Sequence, residues 1–410
     1  MKIAIVGSGA REHILAEVFI RGGFDIFVIP GNDGMKTRGI PVFSDVLDEK
    51  SLEKAVLDNG ADIVLVGPTE YMVDGVVDRF KEKGIKVIGA TSSAAMLEAD
   101  KVFAKHFMIK HGIPTPPFRA VHTISQLERA LKEWDAPYVI KIPTLAGGKG
   151  SFILPTLSEA LDIGTKVITS GFRGLWSEGL VVEKYLEGEE YAVQVLMSSG
   201  DYVILPMVWE YQRLYDGGRG PNTGGMGAVA PIRVADNLFD GIRLLVDKVV
   251  RGLLKEGLMY DGFLYIGIMV SREGLYVLEF NVRLGDPETE AVVSLAPDDF
   301  IHMIRNTAFG RLPEPMHPSG VAVAVSLVGE DAPYGYKEVP LYVPEDTEEG
   351  IYFDHVIERG GTLYVSGWRP CVVVGRGESY EDAILEAYHK ADAVSFEGKY
   401  FRKDIGDKLR

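Results

Sequence analysis

Cysteine is almost missing from this chain, which carries Cys371 alone among its 410 residues. One cysteine excludes an internal disulfide, and nothing else in the sequence indicates an oxidising compartment. Long apolar runs are also missing, because residues 63–66 and 321–325 are strand-length and fall far below the roughly 20 residues of a membrane span. Residues 1–7 have the pattern of a strand and a turn, not of a signal peptide. We therefore expect a cytoplasmic protein that makes no use of a membrane.

Positive charge is scarce. The 43 Lys and Arg residues face 59 Asp and Glu residues, which gives a formal net charge of −16 at pH 7. This balance argues against DNA or RNA as the main partner. Small anionic substrates remain compatible with it, because they need only local positive groups.

The first hundred residues alternate between strand-length apolar runs and helical segments. The runs cover residues 2–6, 26–29, 63–66 and 87–88, and the first helix is expected from about His13. This order predicts a doubly wound parallel sheet. The whole chain is too long for one core, so about two to four compact units are expected.

Helix caps and turn signals divide the rest of the chain. Asp100 can cap a helix that Gly112 ends, and capping boxes are predicted at residues 125–128 and 156–159. Residues 217–227 are rich in glycine and predict a loop. The last eighty or so residues contain short β runs and one helix at 381–393, which predicts a separate β-rich cap.

The first glycine motif, Gly7-Ser8-Gly9-Ala10-Arg11-Glu12, departs from the dinucleotide fingerprint. Glu12 stands where the third glycine belongs, and the second strand ends in Pro30-Gly31-Asn32 without an acidic residue for a ribose. NAD binding is therefore disfavoured. The turn still directs backbone N–H groups from a helix N-terminus, which suits a phosphate, and a tight turn without a ligand is the alternative.

A second motif, Leu145-Ala146-Gly147-Gly148-Lys149-Gly150, follows a predicted strand at residues 138–142. Its glycines permit a backbone that wraps phosphate oxygens, and the Lys149 ammonium can neutralise their charge. The spacing is not that of a Walker A loop. A plain hairpin turn is the alternative.

A third motif, Glu279-Phe280-Asn281-Val282-Arg283, lies on a predicted strand. Glu279, Asn281 and Arg283 share one face because side chains alternate along a strand, and Leu278, Phe280 and Val282 are expected to face the core. A carboxylate and an amide oxygen on one face suit a hard cation such as Mg²⁺, and Arg283 can clamp a phosphate. An ordinary amphipathic strand is the alternative, but Gly285-Asp286-Pro287-Glu288 adds acid and a rigid turn.

Together these segments resemble the phosphoribosylamine–glycine ligase (glycinamide ribonucleotide synthetase) family of the ATP-grasp superfamily. The matching runs follow one another over nearly the whole chain, at residues 7–13, 30–32, 66–68, 145–150, 188–190, 220–227, 262–265, 279–288, 396–398 and 402–406. The resemblance implies an ATP- and Mg²⁺- or Mn²⁺-dependent ligase that joins glycine to 5-phosphoribosylamine through a glycyl phosphate. The products are glycinamide ribonucleotide, ADP and phosphate, in de novo purine synthesis.

The resemblance also implies an α/β and α+β multidomain fold with four regions. These are an N-terminal Rossmann-like substrate domain, an ATP-grasp core, a lid and a C-terminal β-rich domain. Their expected bounds are 1–100 for the first, 101–118 with 188–320 for the core, 119–187 for the lid and 321–410 for the last. Small molecules are the expected partners, and a monomer is the favoured state.

Site residues carry over position by position. The metal ligands implied are Glu279 and Asn281. The nucleotide residues implied are Lys101, Lys141, Gly147, Gly148, Lys149, Glu183, Tyr185, Leu186 and Glu190. The catalytic residues implied are Arg283, Asn222, Thr223 and Asp286. The substrate residues implied are Gly9, Arg11, Glu12, Asn32, Pro68, Arg213, Gly224, Gly225 and Met226.

The chain departs from the family pattern at four places. Pro143-Thr144 replaces Asp-Gly before the phosphate loop, Glu210-Tyr211-Gln212 replaces Asp-His-Lys before Arg213, Gly218 replaces an acid near the retained Asp216, and Thr69 displaces an acid to Glu70. These places lie near the expected substrate pockets. A related ATP-grasp ligase with another substrate pair, or a nonenzymatic nucleotide-binding regulator, therefore remains an alternative.

Overall fold

The computed structural model describes residues 1–45, 48–171, 179–344 and 349–409. Its N-terminal part is a four-stranded parallel sheet in the order β2-β1-β3-β4, which confirms the predicted doubly wound arrangement. Helix α1 begins at Ala10, earlier than expected from the apolar pattern. The elements of this part are β1 Lys2–Gly7, α1 Ala10–Arg21, β2 Asp25–Pro30, α2 Asp33–Thr37, α3 Glu49–Asp58, β3 Ile63–Val66, α4 Thr69–Val73, α5 Val76–Glu82, β4 Lys86–Ile88 and α6 Ser92–Ala99.

A second, antiparallel sheet of four strands has the order β5-β8-β6-β7. Asp100 caps helix α7, Lys101–Lys110, as predicted, since its side chain accepts the N–H groups of Val102 and Phe103. The predicted box at residues 125–128 is wrong in register, because Thr123 pairs with Gln126 instead. The elements are α7 Lys101–Lys110, β5 Phe118–Val121, α8 Ile124–Ala130, β6 Tyr138–Lys141, β7 Ser151–Leu154, α9 Leu157–Ser170 and β8 Leu180–Lys184.

Within the described residues the central sheet has nine strands, and its middle runs β14-β13-β9-β11-β12-β15, in which β15 is Val321–Leu327. The predicted glycine-rich loop at residues 217–227 is wrong, because Arg219–Ala230 forms strand β12 between β11 and β15. The elements that contribute before the C-terminal region are β9 Gly188–Ser198, β10 Asp201–Ile204, β11 Val208–Tyr215, β12 Arg219–Ala230, α10 Asp236–Glu256, β13 Gly262–Ser271, β14 Gly274–Asn281, α11 Glu288–Leu295 and α12 Pro297–Ala308.

The C-terminal region is rich in β-strands, as predicted, and part of it extends this same sheet. All seven residues of β15 are buried, and β15 pairs with β12 on one side and β20 on the other. A strand whose side chains are buried on both faces requires packed layers on both sides of the sheet. The remaining elements are β15 Val321–Leu327, β16 Pro340–Leu341, β17 Ile351–Phe353, β18 Val356–Arg359, β19 Thr362–Val365, β20 Cys371–Gly377 and α13 Tyr380–Ala393.

Two hydrophobic clusters join the N-terminal sheet to the central sheet. Val66 belongs to the same buried cluster as Val193, and Ile5 to the same cluster as Phe263. Burial of one such side chain contributes about 1.5–3 kcal/mol, so these shared clusters fix the two sheets against each other. Among the helices of the described ranges, none is long and apolar enough to cross a membrane.

Candidate active site

A cavity of about 450 Å³ opens where the small antiparallel sheet faces the central sheet. Residues of the N-terminal and C-terminal regions complete its wall. Among the residues that the structure describes, the basic ones that line it are Arg11, Lys101, Lys141, Lys149, Lys184, Arg283 and Arg369. The acidic ones that line it are Glu98, Glu183, Glu190, Glu210, Glu279, Asp286, Glu288 and Asp354. The cavity wall therefore carries charged groups of both signs, and a bound cation would add positive charge next to a polyphosphate.

The glycine loop at residues 145–150 connects β6 to β7 and forms one wall. Gly147 and Gly148 have φ values of +54° and +75°, which side-chain-bearing residues rarely adopt. A Cβ at Gly148 would lie 2.4 Å from the carbonyl oxygen of Thr223. The loop is therefore held against β12 through backbone contact, and Lys149 lines the cavity beside it.

The predicted metal ligands lie on strand β14, directly after a β-bulge. Gly267 pairs with Glu279 and Ile268 with Val277, so Leu278 is the extra residue. The bulge turns both Leu278 and Glu279 toward the cavity, and Asn281 lies on the same wall. The prediction that Leu278 faces the core is therefore wrong, whereas Phe280 is buried as predicted.

The donor set at this wall fits a divalent cation. Burial, with the nearby charges of Glu210 and Glu279, raises the pKa of Glu190 to about 8. Burial, with the charges of Glu288 and Glu279, raises the pKa of Glu210 as well. Within the described residues no group of three or more His, Cys, Asp or Glu side chains could hold a metal by itself. A cation at Glu279 and Asn281 would therefore also need oxygen ligands from water or from a bound ligand.

An ion cluster closes the bottom of the cavity. The carboxylate of Glu183 lies 3.1 Å from Lys141 Nζ and 2.8 Å from the Nζ of Lys105. Burial opposes ionisation of Glu183, but the two ammonium groups outweigh it and hold its pKa below the usual value. The predicted nucleotide residue Glu183 thus directs its carboxylate to lysines, while Tyr185 and Leu186 line the cavity beyond it.

Of the predicted substrate residues at positions 9–32, one lines the cavity and the others form hydrogen bonds within the chain. Arg11 lines the cavity and donates to Leu284 O at 2.9 Å and to Glu12 at 2.6 Å. Glu12 also accepts the Gly9 N–H at 2.9 Å, so this N–H is taken by the chain's own carboxylate and not offered to a phosphate. Asn32 caps α2 and donates to Ser8 O and Phe353 O.

The remaining predicted residues lie on or behind β12. Asn222, Thr223 and Gly224 line the cavity, whereas Met226 is fully buried behind it. A Cβ at Gly225 would lie 2.7 Å from Asp286 O, so β12 also packs against the turn after β14. Pro68, Arg213 and Gly225 are outside the set of residues that line the cavity.

Arg283 and Asp286 are both at the cavity wall, as predicted. Arg283 pairs with Glu98 at 3.3 Å, and Glu98 accepts the hydroxyl of Thr69 at 2.8 Å. Thr69 stands at the position where the family acid is missing, and the displaced Glu70 is exposed. A carboxylate from α6 therefore lies where the sequence indicated a lost acid.

A wall from the C-terminal region was missed entirely. Arg369 lies 2.7 Å from Asp286 and 2.9 Å from Asp354, and His355 and Trp368 line the cavity next to it. These residues lie in a segment without a motif, so no local signal could have identified them. They reach the cavity because β17 and β20 join the central sheet.

The small antiparallel sheet, the glycine loop and the acidic strand opposite the loop define the ATP-grasp class. The biotin carboxylase domain of Hydrogenobacter thermophilus 2-oxoglutarate carboxylase, solved with MgADP, shares this fold with a TM-score of 0.73 over 97% of this chain and 91% of its own, at 18% identity. More particularly, three models match in order: phosphoribosylglycinamide synthetase N domain at residues 1–98, ATP-grasp (A) domain at 99–289 and C domain at 322–408. The chain belongs to the phosphoribosylglycinamide synthetase family.

Relatives of full length support this membership. The phosphoribosylamine–glycine ligase of Thermotoga maritima is 39% identical over 409 residues, which is 99% of each chain. That of Caldanaerobacter subterraneus is 35% identical over 413 residues, again 99% of each. A crystal structure of the Thermotoga maritima ligase matches with a TM-score of 0.88 and 37% identity, over 99% of this chain and 100% of the other.

Proposed function

We propose that the protein is an ATP-dependent ligase that joins glycine to 5-phosphoribosylamine. The products are glycinamide ribonucleotide, ADP and phosphate, a step of purine biosynthesis. The observation that carries the proposal is the face-to-face placement of the Gly148 loop and the Glu279–Asn281 strand across one cavity. Family membership, with relatives of this name over the full length, supports the substrate pair.

A carboxylate is a poor electrophile, so glycine must be activated before an amine can attack it. Transfer of a phosphoryl group from ATP gives glycyl phosphate, and attack by the amine then forms the amide and releases phosphate. Phosphoryl transfer needs positioning and charge neutralisation more than it needs a base. Lys101, Lys141, Lys149 and Arg283 can supply the positive charge, and the cavity wall excludes water from the acyl phosphate.

The nucleotide would lie between the two sheets. Tyr185 and Leu186 at the end of β8 would contact the base, and Glu190 would hold the ribose hydroxyls. Asn222, Thr223 and Asp286 would line the reacting end of the cavity. Glu279 and Asn281 would hold a divalent cation, which neutralises charge on the phosphates when it is bound. We favour Mg²⁺, with Mn²⁺ as a substitute, since both accept oxygen ligands.

The departures from the family pattern are compatible with this function. Pro143 O accepts the Lys101 N–H at 2.9 Å, so the altered segment supports the first turn of α7 through its backbone. Glu210 and Gln212 line the cavity, while Tyr211 turns away and accepts the Gly406 N–H. The substitutions therefore change the polar groups at the cavity wall, but Lys101, Lys141 and Lys149, which we propose to contact the nucleotide, are retained.

The regional division is part of the proposal. Residues 1–100 and 321–410 would complete the acceptor side, residues 101–118 and 188–320 would form the core, and residues 119–187 would form a mobile lid. We further propose that the enzyme acts on small molecules as a monomer in the cytoplasm, without nucleic acid or membrane.

A coupled assay tests the function directly. Purified protein with ATP, Mg²⁺, glycine and freshly made phosphoribosylamine should form glycinamide ribonucleotide and ADP in equal amounts. Omission of either glycine or phosphoribosylamine should stop ADP release. Equal ADP release with another carboxylate or amine would instead support a related ATP-grasp ligase, and no release with any pair would support a nucleotide-binding regulator.

A further inference from the structure

A fully buried lysine lies behind the nucleotide end of the cavity. Lys105, on α7, is 1% exposed, and its Nζ lies 2.8 Å from Glu183 Oε1 on β8. The other carboxylate oxygen of Glu183 lies 3.1 Å from Lys141 Nζ on β6. One carboxylate thus lies between two ammonium groups that come from different parts of the fold.

Lys105 cannot act on a nucleotide by direct contact. Glu183 and Lys141 line the cavity, but Lys105 lies in the layer beneath them and is outside the lining set. A lysine buried without a partner is strongly unfavourable, and removal of one member of a buried pair destabilises the fold because it leaves the other charge uncompensated. The position of Lys105 is therefore explained by its buried polar partners, and any effect on the nucleotide must be indirect.

Hydrogen bonds connect both lysines to strand β14, which carries the predicted metal ligands. The Lys105 ammonium donates to Thr115 Oγ1 at 2.7 Å, and this hydroxyl donates to Val277 O at 2.9 Å. Lys141 donates to Leu278 O at 3.2 Å. Both carbonyl groups lie at the β14 bulge, immediately before Glu279. The ion cluster therefore connects the lid strands β6 and β8 to the strand that carries the predicted metal ligand.

The charges in the cluster determine how firmly Lys141 is held. With Lys105 in place, Glu183 shares its negative charge between two ammonium groups. An ammonium has three N–H donors, and two of those on Lys141 go to Glu183 and Leu278 O, which leaves one for a ligand in the cavity. Without Lys105, Glu183 would pair with Lys141 alone and hold it more strongly away from a phosphate.

We propose that Lys105 is a positioning residue for the nucleotide, which acts by sharing the Glu183 carboxylate so that the Lys141 ammonium is free to face ATP. The inference rests on the proposed use of ATP. It predicts that loss of Lys105 weakens nucleotide binding, and that removing the charge of Glu183 in the same protein relieves most of that loss.

A double-mutant cycle tests this inference by direct titration with a nonhydrolysable ATP analogue and Mg²⁺. Lys105→Met should raise the Kd by about tenfold, or about 1.4 kcal/mol. The double variant K105M/E183Q should bind better than K105M, and within about threefold of E183Q alone. Lys110→Met is the matched control, because Lys110 lies on the same helix but is exposed and pairs with Glu256 at the surface; its Kd should stay within about twofold.

Steady-state kinetics provide a second measurement, because a purely structural role of Lys105 would not change the KM for ATP alone. In K105M the KM for ATP should rise, while the KM for glycine stays within about twofold. Should K105M not fold, the comparison of K105M/E183Q with E183Q still measures the contribution of Lys105 without the buried charge. Multiplicative effects of K105M and E183Q on Kd, or unchanged binding in K105M, would overturn the inference. If the wild-type protein does not bind the analogue at all, the proposed use of ATP fails first.

Discussion

Gly148 and Thr223, which both line the cavity, lie in direct backbone contact, so close that a Cβ on Gly148 would be 2.4 Å from the Thr223 carbonyl oxygen. Gly148 belongs to the loop of the small sheet, and Thr223 belongs to the central sheet. The glycine loop therefore touches the opposite sheet through backbone atoms, and this contact leaves no space for a side chain.

Gly148→Ala should lower kcat/KM for ATP by about tenfold or more. Alanine at a φ of +75° costs about 1–3 kcal/mol, and its methyl group must also push the loop away from Thr223. Steady-state kinetics at varied ATP check this. Gly112→Ala is the control, because Gly112 has a φ of +62° but open space around its missing Cβ. Equal kinetic losses in both variants would contradict a role for the contact.

Glu279→Gln should lower kcat by about a hundredfold or more and raise the concentration of Mg²⁺ needed for half-maximal rate. The amide keeps the size of the side chain and removes the charge that a cation requires. Titration of activity with Mg²⁺ measures both effects. The exposed Glu314 provides the control, and E314Q should match the wild-type protein. An unchanged Mg²⁺ requirement in E279Q would remove Glu279 from the metal site.

Arg369→Met should destabilise the protein by about 3–5 kcal/mol, because it leaves the buried carboxylate of Asp354 and the partly buried carboxylate of Asp286 without their shared partner. Urea unfolding gives the change in free energy. Arg359→Met removes a surface pair with Glu338 and should cost less than about 1 kcal/mol. A similar cost for both variants would show that the C-terminal wall is not held by this arginine.

Glu288→Gln should stabilise the protein increasingly as pH rises from 5 to 7. Burial and the charge of Asp286 raise the pKa of Glu288 to about 7, against the opposing charges of Arg283 and Arg369. An acid with a raised folded-state pKa contributes stability below its unfolded pKa and loses it as pH rises through the folded value. The Tm difference between E288Q and wild type, without metal or nucleotide, should therefore grow across this range.

The control for this pH experiment is Glu381→Gln. Glu381 also lies in the first turn of a helix, but it is exposed. Its Tm difference should stay level over the same range. A level difference in E288Q as well would show that Glu288 does not hold its proton more strongly in the folded protein.

Buried strands were the most predictable part of the fold. Residues 63–66 form β3 with the predicted bounds, because a parallel strand covered on both faces is a continuous apolar run. Helix ends were less certain, since Thr123 and Ser125 both suit an N-cap and only the fold selects Thr123. The family resemblance supplied the fold class that local patterns alone left open.

The glycine-rich strand β12 could not be predicted from composition. Its glycines resemble those of a loop, but they serve close approach: a Cβ at Gly225 would meet the ring of Pro287 at 2.5 Å. Which backbone segments come that close depends on the sheet order, which no local pattern contains. The β14 bulge that turns Leu278 into the cavity was missed for the same reason.

Predicted site residues from the resemblance lie largely together around one cavity, but their roles remain predictions. The C-terminal wall was beyond reach, because Arg369 meets Asp286 across 83 positions of sequence. Glu98 was missed as well, since its partner Arg283 is even more remote in the sequence. Ion pairs between residues so far apart in the chain produce no recognisable pattern in the local sequence.

The most direct test of the central claim follows the oxygen atoms of glycine. If glycine is activated as an acyl phosphate, one of its carboxylate oxygens must leave with the phosphate. With [¹⁸O₂]glycine, ATP, Mg²⁺ and phosphoribosylamine, mass spectrometry should find one ¹⁸O atom in each phosphate released. Phosphate formed without ¹⁸O, while glycinamide ribonucleotide accumulates, would contradict the account.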